Sequence, residues 1–365
     1  MDLNKIFLKE ACPAAIGGQA VLDGVMMRGL DRTAIACRIP DGRIFLKTHP
    51  NKKRSRWSKL PIVRGVVAFI MSLVEGMKAL TYSADVAERF MDGEDDPGRI
   101  EQYMLNKFGE KKVWNMMLVF SVTLALLVSV VVFVLLPTVA IGWMKNFIVS
   151  SIILNLIEGV LRLVILVGYI VIIAHMDEMK KLFQYHGAEH KTIHCFENNL
   201  ELTPENASEF YTLHPRCGTS FLMFVLIISL IVFSFLGWPP LIWRIVSRIL
   251  LIPVVAGISF EVLKLAGRGD NMFVRILSIP GLYLQKLTTR NPDAEQLEIA
   301  ICSLKAVLVD KDEPFVEGFC DNDANLMEEM SIDSEKGIYE VKMMSDKANA
   351  TSNKGREELY ARSIV

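Results

Sequence analysis

At 365 residues with a formal net charge of −1, the chain has room for more than one compact unit and carries no general electrostatic affinity for nucleic acid. Its 52% hydrophobic content and mean hydropathy of +0.33 are high for a soluble protein. Six cysteines (Cys12, Cys37, Cys195, Cys217, Cys302, Cys320) show no CxxC spacing, which argues against a zinc ribbon and against a disulfide scaffold.

Met1–Glu10 is mixed polar with no apolar core, so no secretory signal is read there and the N-terminus is expected to stay in the cytosol. Residues 14–50 read as a small β-rich unit. Gly17-Gly18-Gln19-Ala20-Val21-Leu22-Asp23-Gly24-Val25-Met26-Met27-Arg28-Gly29 is glycine-punctuated, which suits bends and bulges. It reads either as a loop presenting Gln19, Asp23 and Arg28 to a ligand or as an ordinary twisted sheet, since no phosphate-loop spacing is present. Thr33–Ile39 and Arg43–Thr48 flank the turn residues Pro40-Asp41-Gly42, which predicts a hairpin.

Lys52–Lys59 is a basic run, and after it Val63, Val66, Val67, Ile70, Leu73, Val74, Met77 and Leu80 recur at helical spacing. This suits an amphipathic helix on the inner leaflet of a membrane, or equally a helix packed on the protein. Asp92–Gly98 is an acidic linker. Four apolar stretches follow and are read as spans: Trp114–Leu136, long enough to cross roughly 30 Å of hydrocarbon and ended by Pro137; Ile152–Ala174, carrying Glu158 and Arg162; Thr219–Leu236; and Ile242–Leu265, with Arg244 and Arg248 near its start and Glu261 near its end. Glu158 and Arg162 lie i, i+4 apart and are read either as functional intramembrane charges or as an intrahelical pair. Lysine and arginine crowd before the first span, between the second and third, and after the fourth, which predicts that both termini are cytoplasmic.

Between the second and third spans lies Tyr185–Glu197, which holds three of the six histidines. On a helix His186, His190 and His194 stack at i, i+4, with Glu189 and Glu197 on roughly the same side. His-x-x-Glu-His also matches an inverted zinc-peptidase pattern, two ligands enclosing a base. An i, i+4 pair suits one divalent metal, zinc best. All three histidines cannot serve one ion, because i to i+8 spans about 12 Å of axis. The pair is then His186 with His190 or His190 with His194, and the third ligand is sought among Glu197 (for the second pair), His214 and Glu261. With the first pair, Glu189 is placed as general base. A two-metal site built on His186/Glu189 and His194/Glu197 is a further arrangement. Thr203-Pro204 predicts a short capped helix that folds His214 back beside His190. Cys217 is read as a thiolate ligand, a nucleophile or a small buried residue; Arg216 is read as binding an anionic substrate or lipid headgroups.

After the fourth span, Pro280-Gly281 breaks an apolar stretch, Asn291-Pro292 predicts a helix start, and Leu297, Ala300, Ile301, Leu304 and Leu308 give that helix a stripe. From Asp310 onward, fourteen Asp/Glu against seven Lys/Arg and lost periodicity predict an acidic disordered tail.

Four stretches carry a family resemblance: Gly17–Gly29, Tyr185–Lys191, His214-Pro215-Arg216-Cys217-Gly218-Thr219-Ser220-Phe221, and Pro280–Arg290. Together they resemble the YqhQ family of bacterial membrane proteins of unknown function, described as predicted metal-dependent enzymes. The resemblance covers about residues 10–308, and it implies a metal-dependent activity without naming a substrate. Asp23 stands where that family is expected to carry glutamate, a conservative departure that keeps an acidic group there.

The fold class expected is a mainly α polytopic membrane protein with about four transmembrane helices and a small N-terminal β-rich cytoplasmic unit. Its parts are the β-rich unit over 1–60, an amphipathic helical region and linker over 61–112, a membrane domain over 113–270 with a cytoplasmic metal-site segment at 176–218, a C-terminal helical region over 271–309, and the tail over 310–365. The expected function is a metal-dependent, hydrolase-type enzyme of the bacterial inner membrane. It would use a divalent metal, zinc first, and act on an unknown membrane-proximal substrate; the expected partners are the lipid bilayer and no nucleic acid, with homo-oligomerisation left open. The alternatives are a non-enzymatic scaffold or regulator with a structural metal, and a transporter using Glu158, Arg162 and Glu261.

Overall fold

The computed structural model describes residues 14, 16–51, 60, 63–90, 107, 109–147, 150–266, 272–309, 312–321, 324, 326–333 and 338–343. The basic run 52–59, the acidic linker 92–98 and residues 344–365 of the expected tail lie outside them. The chain divides into a sheet unit (residues 1–90, 170–225 and 256–365) and a helical unit (91–169 and 226–255).

The sheet unit is built on an antiparallel meander that, among the described residues, has seven strands in sequence order: β1 Gly17–Val21, β2 Gly24–Arg28, β3 Arg32–Arg38, β4 Ile44–Pro50, β5 Glu317–Cys320, β6 Leu326–Asp333 and β7 Ile338–Met343. The predicted hairpin is β3–β4, closed by the Ile39 N–H on the Arg43 carbonyl (3.1 Å) with Gly42 at φ 88°. Side chains alternate between two covered faces. Val25, Met27, Ala34, Ala36, Ile44 and Leu46 pack against two helices, α5 (Asp177–Glu197) and α10 (Ala294–Val307). Met26, Ile35, Cys37 and Phe45 pack instead against Ala79 and Val86 of α1 (Val63–Phe90). Cover on both faces explains why Arg32–Cys37 is buried at every position.

Three expectations change here. The tail does not begin at 310, because β5 pairs with β4 (Phe45 opposite Phe319) and would otherwise leave that edge open. Phe319 sits 5.3 Å from the Phe45 ring and Cys320 joins the opposite face, so a four-residue strand does the pairing without a periodicity that composition can reveal. Helix α10 is capped by Asp293, not Asn291: the Asp293 carboxylate accepts the Gln296 N–H (2.8 Å) and the Gln296 amide accepts the Asp293 N–H (3.1 Å), a reciprocal box that Asn291 cannot form with that partner. Helix α9 (Met272–Thr288) runs through Pro280-Gly281 without breaking.

Helix α1 takes the expected place but turns its stripe outward. It buries the small residues Gly65, Gly76, Ala79 and Ser83 together with Val86. Val63, Ile70, Leu73, Val74, Met77 and Leu80 stay exposed, a continuous apolar face.

In the helical unit, α2 (Glu110–Val130) passes through a π-helical turn, Val131–Leu135, into α3 (Leu136–Met144). Pro137 was expected to stop this span. The wide turn lets it continue, since the i→i+5 bond from the Leu136 N–H to the Val131 carbonyl opens the room that the ring needs. Among the described residues, three helical stretches are long and apolar enough to cross a membrane: Met116–Met144, Ser151–Ile173 (α4) and Leu241–Leu265, most of α8 (Leu241–Ala266). The fourth expected span is α7, Gly218–Ser234, whose 17 residues make it the shortest. The protein is a predominantly helical polytopic membrane protein with a small antiparallel sheet.

Candidate metal centre

Helix α5 is polar in composition yet buried at every position from Gly187 to Glu197. Ala188, Ile193 and Phe196 face the sheet core, while the histidine ridge faces the loop after the short helix α6 (Pro204–Ser208). As predicted, Thr203 caps α6, accepting the Asn206 N–H at 3.3 Å. Gly187 is required where it stands: a Cβ there would overlap the Arg290 carbonyl oxygen. Gly18 of β1 is also required: a Cβ there would come within 2.7 Å of the Met26 carbonyl oxygen and 2.9 Å of the Glu189 carboxyl carbon.

The ridge divides into two clusters. In the first, ligand atoms of His186, His190 and Cys217 lie within 4.8 Å of one another. His186 Nδ1 is 2.8 Å from the Thr288 carbonyl and His190 Nδ1 is 2.5 Å from the Thr212 carbonyl. A carbonyl only accepts, so both Nδ1 atoms carry a proton and both Nε2 atoms are turned toward the cluster. His186 Nε2 lies 3.2 Å from Cys217 Sγ, and His190 Nε2 is buried with no hydrogen-bond partner. Such an unsatisfied buried acceptor costs about 1–3 kcal/mol. Backbone carbonyls orienting two imidazoles through Nδ1, with the opposite nitrogens converging on a thiol, is the donor arrangement that zinc takes. Burial pushes the Cys217 thiol up, but the imidazoles of His190 and His186 outweigh it and hold the thiol well below its usual range. Burial pulls His186 down, and Cys217 overrides it, raising His186 to about 9, so with no ion bound its Nε2 also carries a proton, directed at the Cys217 thiolate. Burial also raises the Glu189 carboxyl, against the lowering effect of His190 and His186.

In the second cluster, His194, Glu197 and His214 also bring ligand atoms within 4.8 Å. Here the polar groups are already engaged. Glu197 Oε1 accepts the Ala14 N–H (2.9 Å) and pairs with Arg216. His194 Nε2 donates to the Leu213 carbonyl at 2.9 Å. Gln285, fully buried, clamps the loop: its Oε1 accepts the His214 N–H and its Nε2 donates to the His214 carbonyl, both at 2.8 Å. Burial, then His190, lowers His214 to about 3, and burial lowers His194 well below its usual value, so both rings are neutral.

The structure therefore brings His214 beside His190 (rings 5.6 Å apart) as expected, but puts Cys217 rather than His214 or Glu261 in third place at the His186/His190 pair. Glu261 instead forms a two-pronged pair with Arg64. Arg216 does not face outward to a substrate or headgroup; it is tied to Glu197 and donates to the Ala14 carbonyl at 3.0 Å. The residues read either as a ligand loop or as an ordinary twisted sheet lie in the sheet and its turn and are used in packing. Gln19 lies against Gly76 of α1, Asp23 turns β1 into β2 at φ 48° beside Lys181 (2.5 Å), and Arg28 pairs with Glu75. Sequence reasoning missed that Gly18 touches Glu189; the paired glycines were the signal available.

In the helical unit, Glu158 pairs with Arg162 at 2.7 Å as the spacing suggested, and Arg248 joins it from α8 at 2.6 Å. Thr138, also buried, donates to Glu158 at 2.8 Å.

Residues 60–310 match the family described as protein of unknown function (DUF1385). The chain is 37% identical over 308 residues to the uncharacterized protein YqhQ of Bacillus subtilis (strain 168), which covers 82% of this chain and 94% of that relative. No solved structure matches the chain. A match of that length and identity, on the stretches that build the histidine ridge and its supports, means that the chain belongs to the DUF1385 family together with YqhQ.

Proposed function

We propose that the protein is a membrane-embedded, metal-dependent enzyme of hydrolase type, with one divalent ion held by His186 Nε2, His190 Nε2 and Cys217 Sγ. The observation that carries this reading is the buried, unpartnered Nε2 of His190 beside the His186–Cys217 contact. The mixed nitrogen–sulfur set favours zinc, and three protein ligands leave a coordination position free, as catalytic sites do and closed structural sites do not. When bound, such an ion supplies Lewis acidity toward a carbonyl or phosphoryl group and acidifies water. Thr288 and Thr212 carbonyls fix the imidazole orientation, and the Gly18 approach fixes Glu189, which lies between the two histidines in sequence and serves as the proton acceptor. The substrate is membrane-proximal, because the site follows directly on α4 and precedes α7 in the chain. The lysine and arginine distribution supports a cytoplasmic face for this site, and the exposed apolar face of α1 supports contact with lipid.

Glu189→Gln tests the enzymatic part. It is expected to retain metal and fold while losing the cellular phenotype of the gene. A phenotype that persists in that variant turns the reading to a scaffold with a structural metal.

A second reading is favoured by one contact: Cys217 at the start of α7, 3.2 Å from His186 Nε2, has the makings of a thiolate nucleophile without metal. Alkylation of Cys217 separates the two. A metal ligand reacts slowly and speeds up after chelation; a free nucleophile reacts quickly and ignores the chelator.

A further inference from the structure

The buried charges of the helical unit do not balance. Arg162, Arg244 and Arg248 are 9%, 5% and 4% exposed, and among the described residues the one carboxylate beside them is Glu158, which pairs with Arg162 and Arg248. Both oxygens of Glu158 are taken, Oε1 by Arg162, Thr138 and Arg248, Oε2 by Arg248. Arg244 is left without an anion. One terminal nitrogen donates to the Thr138 carbonyl (2.9 Å), the guanidinium stacks 4.1 Å from the Trp238 ring centre, and Nε has no partner. A buried guanidinium without a counter-charge is costly in an apolar helix bundle.

Arg244 lines a cavity of about 280 Å³ at the end of the unit where the α3 terminus meets the Gly237–Pro240 turn. Lys145 stands on its rim, no acidic residue lines it, and Trp143, Trp238 and Val139 form apolar walls. A second cation, an unfilled guanidinium donor and a wall of aromatic rings in one cavity describe a receptor for an anion carried by an amphiphile.

We infer that this cavity binds a phosphate group, held by Arg244 and Lys145, with Arg162 and Arg248 supplying the excess positive field beneath it. Guanidinium donors match phosphate oxygens two at a time, and the tryptophans suit the apolar portion next to a lipid headgroup. The phosphate has two sources, an anionic lipid or the free ion.

The test is thermal unfolding of the full-length protein in dodecyl maltoside micelles, which contain no phosphate. Phosphatidylglycerol and inorganic phosphate are added in separate arms, with sodium chloride at matched ionic strength as reference. At least one phosphate source is expected to raise the unfolding temperature of the wild type. Arg244→Gln combined with Lys145→Gln is expected to need about tenfold more of it for the same shift, while Arg244→Lys keeps most of the response. A response to the lipid alone assigns the site to headgroups, and a response to inorganic phosphate assigns it to the free ion. If neither source shifts the wild type beyond the chloride reference, the inference is wrong whatever the variants do. An undiminished response in the double variant also overturns it.

Discussion

The histidine ridge of the sheet unit and the arginine cluster of the helical unit both bury polar side chains, and they fail to satisfy them in opposite ways. On the ridge the unmet atom is an acceptor: His190 Nε2 offers a lone pair beside a thiol whose proton is easily lost. In the cluster the unmet atoms are donors: Arg162 and Arg244 each hold an Nε–H with no acceptor, and the one carboxylate among the described residues there pairs with Arg162 and Arg248, not with Arg244. A surplus of lone pairs asks for a cation, and a surplus of N–H and positive charge asks for an anion. The sign of the unsatisfied group thus says more about the ligand than the number of charged residues does.

The comparison can be broken most severely at Glu158. Glu158→Gln removes the carboxylate that, among the described residues, pairs with the buried Arg162 and Arg248, and is expected to destabilise the helical unit by about 3–5 kcal/mol, read as a lowered unfolding temperature or lost expression. Restoring balance with Arg248→Gln in the same chain is expected to recover part of that loss. A Glu158→Gln protein as stable as wild type would mean that the arginines are not held by charge.

Next in size is Gly187→Ala on the ridge. The added methyl meets the Arg290 carbonyl, so about 1–3 kcal/mol of stability is expected to go, read by denaturant unfolding, together with misplacement of His186 and His190. Unchanged stability would show that α5 does not approach that carbonyl.

The smallest effect concerns pH. His49 of β4 titrates below its usual range, first because it is half-buried and then because Lys47 is near. Its folded-state value is depressed, so its contribution is whole above about pH 6.5 and declines as pH falls through the folded value. Replacing His49 by Gln is expected to flatten the stability profile on that acid side; a profile as steep as wild type would assign the slope to other groups.

Much of this is legible in the sequence. Helical spacing located the ridge His186/His190/His194, Thr203-Pro204 located the cap that folds the loop back, and Pro40-Asp41-Gly42 located the hairpin. These signals are local, carried by residues within a few positions of one another. What was not legible is long-range. Cys217 reaches His186 across 31 residues, Arg248 reaches Glu158 across 90, and neither partner is marked by spacing. Prolines misled twice, at Pro137 and Pro280, because a π-helical turn and continued helix absorb what an isolated sequence reads as a stop. The stripe on α1 was visible, but not that small residues would face the sheet and the large ones outward. Strand β5 was hidden in an acidic stretch because four residues hold it in place through one phenylalanine.

The central claim is tested most directly by metal content. Full-length protein purified without chelators, wild type beside His190→Ala, Cys217→Ser and His194→Ala, is analysed for bound zinc and for sulfur among its ligands by X-ray absorption. The account predicts about one zinc per chain in wild type and in His194→Ala, with sulfur at about 2.3 Å from the ion, and little or none in the other two. Equal zinc in all four proteins, or a zinc without sulfur in wild type, would contradict it.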